Sequence, residues 1–391
     1  MKAMILAAGK GTRVRPITHD IPKPMIPIVR KPVMESIVEL LKKHDVEDIV
    51  VNTSHLAPAI EDYFRDGGQF GVRMAYSFEG RLTDGELTGD ALGSAGGMKK
   101  IQEFSGYFNE TFIVLCGDAL IDLDISEALE FHRSRNAMAT IILKDIPKDE
   151  VNKYGVVETD ADGRIMQFQE KPSVEEAVST TINTGIYIFE PEVLNYIPSD
   201  TEYDIGGDLF PALVAAGQAF YGISLPFEWI DIGSVPDFWD ANRMVLSGRL
   251  PDYNLPGKEI SPGVRVGINV KLDLDKVDIT PPVYIGSSTF IGDGAKICGP
   301  SVIGANCHIE SGAVVNECIV GDYTRITQVA TLDKKIVMRG MCIQPEGQFI
   351  SIEDTDIGWI MDDARKEISL NETQQMLYES AMERIELRTE V

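Results

Sequence analysis

The chain has 391 residues, of which 44% are hydrophobic and 25% charged, and 36 Lys or Arg against 61 Asp or Glu give a formal net charge of -25. That length exceeds the ~250–300 residues at which a single hydrophobic core stops growing, so two domains are expected, and a surface this acidic argues against nucleic acid or anionic membranes as partners. Five cysteines (Cys116, Cys298, Cys307, Cys318, Cys342) without C-x-x-C spacing indicate neither a disulfide framework nor a zinc site; with no run long enough for a signal peptide or a membrane span, a cytoplasmic protein is expected.

In chain order, residues 3–7 read as a buried strand that runs directly into a glycine-rich loop. Val33, Met34, Ile37, Val38, Leu40 and Leu41 then recur at helical spacing over residues 33–43. A strand at 48–52, a helix around 57–64, a strand at 72–76, a helix around 93–104 and a strand at 111–116 follow. This alternation predicts a doubly wound, mostly parallel, Rossmann-like sheet, whose ligands bind beyond the carboxyl ends of the strands. Gly9 and Asp118 both fall at such ends.

A further helix is expected at 235–246, and the prolines and glycines of 247–257 suit a linker. Beyond it Ile285, Ile291, Ile297, Ile303, Ile309 and Val315 fall six residues apart, with glycine after several of them. A six-residue period is that of a left-handed β-helix, in which each face of a coil contributes one inward aliphatic. Ile260, Val266 and Leu272 show the period one register earlier, and Val320 with Ile326 continues it after a slip. The reading is therefore an α/β domain over 1–250, a β-helix over 258–345, and an extension over 346–391 with a helix beyond Ser369. An uncovered solenoid end would expose apolar and unpaired strand groups, a liability that oligomer contacts or the C-terminal segment could relieve; a homo-oligomer is expected.

The N-terminal loop reads Gly9-Lys10-Gly11-Thr12-Arg13-Val14-Arg15-Pro16, followed by Pro22-Lys23-Pro24. Glycine lets backbone N–H groups approach phosphate oxygens closely, and seven basic residues in 1–31 face the single acid Asp20, which marks an anion site. The order fits neither Walker A nor G-x-G-x-x-G. The five histidines show no acid–base or ligand arrangement, and Asp122, Asp124 and Asp237 read as turn or capping acids.

Leu6-Ala7-Ala8-Gly9-Lys10-Gly11-Thr12-Arg13, Pro22-Lys23-Pro24, Leu92-Gly93-Ser94-Ala95-Gly96-Gly97, Cys116-Gly117-Asp118, Glu170-Lys171-Pro172, Asn183-Thr184-Gly185 and Trp229-Ile230-Asp231-Ile232-Gly233 together resemble the signature of the sugar-1-phosphate nucleotidyltransferases. The hexapeptide tail is similar to the β-helix that many members append. The resemblance implies in-line attack of a sugar phosphate oxygen on the α-phosphorus of a nucleoside triphosphate, with Arg13 and Lys23 stabilising charge and Asp118 and Asp231 holding Mg²⁺. It also implies a nucleotide site at Leu6, Ala8, Gly9, Gly11, Thr12, Arg13, Leu92 and Gly93, with Gly93 leaving room for the base. Gly155, Glu170, Lys171, Asn183 and Gly185 would bind the sugar phosphate.

The L-G-x-A-G form resembles guanylyltransferases that use mannose 1-phosphate. The acidic loop from Glu79 to Asp90, the Cys116-Gly117-Asp118-Ala119-Leu120 string and the short tail are more similar to cyanobacterial uridylyltransferases. UTP with glucose 1-phosphate is thus the expected pair, and GTP with mannose 1-phosphate the alternative. A hexapeptide acyltransferase would have only His308 in the solenoid as its catalytic histidine and would leave the glycine loop unexplained. A catalytically silent subunit is disfavoured because Arg13, Lys23, Asp118 and Asp231 are all present.

Overall fold

The apolar run after Lys2 becomes the strand Lys2–Ala7, paired in parallel on one side with Asp48–Thr53 and on the other with Phe112–Cys116. Arg73–Phe78 extends this parallel group at its outer edge. Thr181–Phe189 lies antiparallel to Phe112–Cys116 and carries Ala139–Asp145 and the hairpin Gly155–Thr159/Ile165–Glu170, which completes most of a nine-stranded sheet. Because side chains alternate across a strand, neighbours enter different cores. Ile5, Val51 and Leu115 join one apolar cluster, whereas Met4, Val50 and Val114 join the other. Helix Val33–Lys43 buries the six apolar residues that its sequence period marks, and helices Ala57–Phe64 and Gly93–Ser105 occupy the expected places.

The computed structural model describes residues 1–83, 86–89, 92–367 and 370–389, and leaves side chains of 81–91 and 385–391 undescribed; most of the acidic loop named above lies outside the described side chains. Contacts divide the chain into two units: residues 1–12, 18–26 and 32–231 form the sheet unit, and residues 13–17, 27–31 and 232–391 form the other.

In the second unit the six-residue ladder winds three parallel faces. One contains Val264–Val266, Val283–Ile285, Ser301–Ile303, Ile319–Val320 and Ile336–Met338. The others contain Asp278–Thr280 through Thr331–Asp333 and Phe290–Ile291 through Thr324–Ile326. Ile285, Ile291, Ile297, Ile303, Ile309 and Val315 are all buried in one core, the arrangement of a left-handed β-helix. The slip after Val315 has a plain cause: Ile285 pairs with Ile303 but Ile303 pairs with Val320, so the later coil is one residue shorter.

Two features differ from the sequence reading. Ile260 is 38% exposed, because Lys258–Ser261 folds back antiparallel onto Val264–Val266 instead of entering a coil. Within the expected 258–345 span the ladder continues beyond Ile326 to Leu332 and Val337, after which antiparallel strands Met341–Ile343, Phe349–Ser351 and Met361–Asp363 end the parallel stacking. Helix Val235–Leu246 groups with this unit: Asn242 Oδ1 accepts from Val29 N at 2.9 Å, and Arg243 pairs with Glu317. The contact division thus falls after Asp231, ahead of the 247–257 stretch. Among the described residues no helix is long and apolar enough to cross a membrane.

Candidate active site

Lys23 opens a short 3-10 turn, Lys23–Met25, between two prolines whose fixed φ leaves that turn little freedom. Asp118 sits between the strand Phe112–Cys116 and the short strand Ala119–Ile121. The latter pairs antiparallel with Trp229–Asp231, and the register sets Asp231 opposite Ala119. That ribbon brings together two carboxylates from distant parts of the sequence. The Lys23 ammonium lies between them, bonded to Asp118 Oδ2 and 3.3 Å from Asp231 Oδ1. Its side chain is 11% exposed. Burial by itself would lower the Lys23 pKa, but Asp118 and then Asp231 outweigh it and hold the pKa above its ordinary value.

Gly117 is required where the chain turns into this site. Its N–H donates to Leu6 O at 2.9 Å, and a Cβ would stand 2.9 Å from that same oxygen. The thiol of half-buried Cys116, one residue earlier, is pushed far up by desolvation, so it is an inert neighbour rather than a nucleophile.

The two carboxylates fit a hard divalent cation. Both reach one point already occupied by a positive charge, and oxygen donors are what such ions take. No cluster of three or more His, Cys, Asp or Glu suited to a metal occurs among the described residues, so the remaining ligands would be phosphate oxygens and water.

The glycine loop is open. Gly9 and Lys10 are exposed, and nothing lies within 4 Å of a Cβ at Gly9. Gly11 takes φ +61 and approaches the Lys23 side chain, while Thr18 Oγ1 donates to Gly11 O at 2.7 Å. Arg13 and Arg15 are exposed and group by contact with the second unit. Leu92 caps the helix Gly93–Ser105. Gly93 has a reason of its own to lack a side chain: with φ +74, a Cβ would meet Tyr203 O at 2.5 Å, and Ala95 N and Gly96 N both donate to that carbonyl.

Three adjacent strands carry Gly155, Glu170, Asn183 and Gly185. Glu170 is directly opposite Gly155, and Val156 pairs with Ile182 beside Asn183. Lys171 and Glu170 are exposed and paired at 2.7 Å. Asn183 Oδ1 accepts from Gly185 N at 2.9 Å, and its Nδ2 donates to Tyr187 Oη at 2.9 Å. Gly185 takes φ +76, and a Cβ there would lie 2.6 Å from Cys116 Sγ. Asp124 caps the helix Ile125–Ser134, as its sequence context suggests.

Sequence reading gives no site role to Asn52 or to Glu79, which are 2% and 1% exposed and bonded to each other at 2.7 Å. Their signal is positional: Asn52 is next to last in one parallel strand and Glu79 directly follows another, on the side where open α/β sheets bind ligands.

Residues 2–248 match the nucleotidyl transferase family, and residues 282–317 match the bacterial transferase hexapeptide repeats. The chain is 58% identical to a UTP–glucose-1-phosphate uridylyltransferase of Synechocystis sp., across 93% of this chain and 94% of that protein. It is 30% identical to a mannose-1-phosphate guanylyltransferase of Mycobacterium tuberculosis, across 80% and 82% respectively. A Bacillus anthracis structure described as a glucose-1-phosphate thymidylyltransferase superposes with a TM-score of 0.54 at 26% identity, covering 66% of this chain and 98% of that one.

Proposed function

This chain belongs to the nucleotidyl transferase family, and on that premise we propose that it joins UTP to glucose 1-phosphate, releasing pyrophosphate and forming UDP-glucose. The observation that carries the proposal is the Lys23 ammonium held between Asp118 and Asp231 at the carboxyl end of the parallel strands. The choice of UTP and glucose rests on the 58% identity to the Synechocystis uridylyltransferase, against 30% for the guanylyltransferase relative.

The reaction forms one P–O bond, from the sugar phosphate oxygen to the α-phosphorus, and breaks the bond to the β-phosphate. Both reactants are anionic, so catalysis is mainly positioning and charge stabilisation. In this reading Lys23 meets the α-phosphate side, as a compact charge on a flexible stem. The glycine loop offers backbone N–H groups to the triphosphate and Arg13 stabilises the leaving pyrophosphate. Glu170 accepts from sugar hydroxyls, Lys171 meets the sugar phosphate, and Gly155, Asn183 and Gly185 shape the pocket around them. Asp118 and Asp231 hold a divalent cation, proposed to be Mg²⁺, which when bound neutralises triphosphate charge.

Pyrophosphate release measured with UTP, GTP, ATP and dTTP, each with glucose 1-phosphate and mannose 1-phosphate, tests this directly. UTP with glucose 1-phosphate is expected to give the highest kcat/KM. A faster reaction with GTP and mannose 1-phosphate overturns the substrate assignment.

A further inference from the structure

A chain of hydrogen bonds, two of them buried and the one from Leu92 partly so, joins the two segments assigned to the nucleotide. Ala7 N donates to Asn52 Oδ1 at 2.8 Å, Asn52 Nδ2 donates to Glu79 Oε1 at 2.7 Å, and Leu92 N donates to Glu79 Oε2 at 3.2 Å. One end is where the strand Lys2–Ala7 passes into the glycine loop, and the other is the cap of the helix Gly93–Ser105. The links have little room to shift. Glu79 N donates to Thr53 O at 2.7 Å, its carbonyl accepts from Ser54 Oγ at 2.8 Å, and a Cβ on Gly97 would stand 2.2 Å from Glu79 Oε1.

We infer that Asn52 and Glu79 are positioning residues for the nucleotide, forming a relay that fixes the spacing between the glycine loop and the Leu92–Gly93 corner. This inference rests on the reading that those two segments wall the nucleotide site. The relay has a polarity. Ala7 and Leu92 present N–H groups from its two ends, so the pair between them must contribute one donor and three acceptors. An amide at 52 and a carboxylate at 79 do so, with Oδ1 towards Ala7 and Nδ2 towards Glu79. A same-sized replacement that reverses one group leaves a buried donor or acceptor unpaired, which is costly where water cannot reach.

Glu79→Gln keeps the volume but sets an NH₂ against either Asn52 Nδ2 or Leu92 N. Asn52→Asp sets one carboxylate against another. In the double variant Asn52→Asp/Glu79→Gln every bond returns: the new carboxylate accepts from Ala7 N and from the new amide, whose oxygen accepts from Leu92 N. Packing alone gives no reason for the double variant to surpass either single one.

The test measures KM for whichever nucleotide the wild type uses best, KM for its sugar phosphate, and the thermal midpoint, in wild type, both single variants and the double variant. Each single variant is expected to raise the nucleotide KM about tenfold or more, the scale of one unpaired buried group, while the sugar-phosphate KM moves less than about threefold. The double variant is expected to return to within about threefold of the wild-type nucleotide KM. A double variant no better than the worse single one overturns the relay. So does recovery of the thermal midpoint without recovery of nucleotide KM, or an equal rise in both KM values. If a single variant fails to fold, a folded double variant with near-wild-type nucleotide KM still supports the relay, and an unfolded one overturns it. A wild type that prefers GTP and mannose 1-phosphate would sink the substrate proposal instead, leaving the relay to be judged on the KM for GTP.

Discussion

The β-helix and the sheet unit are held by opposite kinds of order. Along the solenoid the same aliphatic contact repeats from coil to coil, so Ile285, Ile303 and Val320 do one job in three places. In the sheet unit the site depends on contacts made once, such as Lys23 to Asp118 and Asp231, and Asn52 to Glu79. Repetition spreads stability over a ladder whose every rung is apolar, whereas a single polar contact concentrates function in groups that have no substitute. Damage should therefore look different in the two regions, as lost folding in one and lost chemistry or affinity in the other.

The largest effect is expected for Ile297→Asp, which places an unpaired charge in the solenoid core, where the side chain is fully buried. Such a charge costs several kcal/mol, enough to consume most of an ordinary domain's stability. Lys296→Asp, on the exposed outward position next to it, should change stability by no more than about 0.5 kcal/mol. Thermal unfolding of both variants checks this, and similar melting points would break the idea of an inward ladder.

Next in size is Lys23→Ala. Removing the cation leaves two carboxylates facing each other and deprives the reaction of a positive charge, so kcat should fall roughly 10²–10³-fold, the range for one electrostatic contact in a catalytic site. The protein should remain folded by circular dichroism. Loss of folding together with activity would mean that the sheet unit relies on this cluster as the solenoid relies on its ladder.

How much was legible follows the same contrast. The helix Val33–Lys43 and the ladder from Ile285 to Val315 were readable because period alone specifies which side chains face inward. Ile260 kept the period yet lies outside, since period cannot tell a coil from a strand that folds back beside one. In the site, family resemblance pointed to Lys23, Asp118 and Asp231, and the Ala119–Ile121/Trp229–Asp231 ribbon supplies the geometry that no local pattern carries. Asn52 and Glu79 left no periodic trace, because a buried relay is defined by partners far away in sequence.

A smaller effect is expected for Gly185→Ala. The residue holds φ +76, and the added Cβ would lie 2.6 Å from Cys116 Sγ. Strain of this kind costs about 1–3 kcal/mol. Denaturant unfolding of the variant, alone and combined with Cys116→Ala, separates the two causes. Recovery in the double variant assigns the loss to the sulfur contact, and persistence assigns it to the backbone.

The smallest effect concerns His132, whose polar contacts serve structure alone. Its ring is 1% exposed, with Nδ1 2.8 Å from Thr140 Oγ1 and Nε2 3.2 Å from Glu190 Oε1. Burial lowers its pKa, and Glu190 offsets only part of that. The folded state therefore favours the neutral ring more than the unfolded state does, where the pKa is about 6.5. Its contribution to stability is fully present above that value and is lost as pH falls from there through the lower folded-state pKa. His132→Gln keeps a donor for Glu190 but does not titrate. Between pH 7.5 and 5 the wild type should lose more stability than this variant in parallel urea titrations, and the partial offset by Glu190 keeps the difference modest. Equal losses would show that His132 does not contribute to the acid sensitivity of the sheet unit.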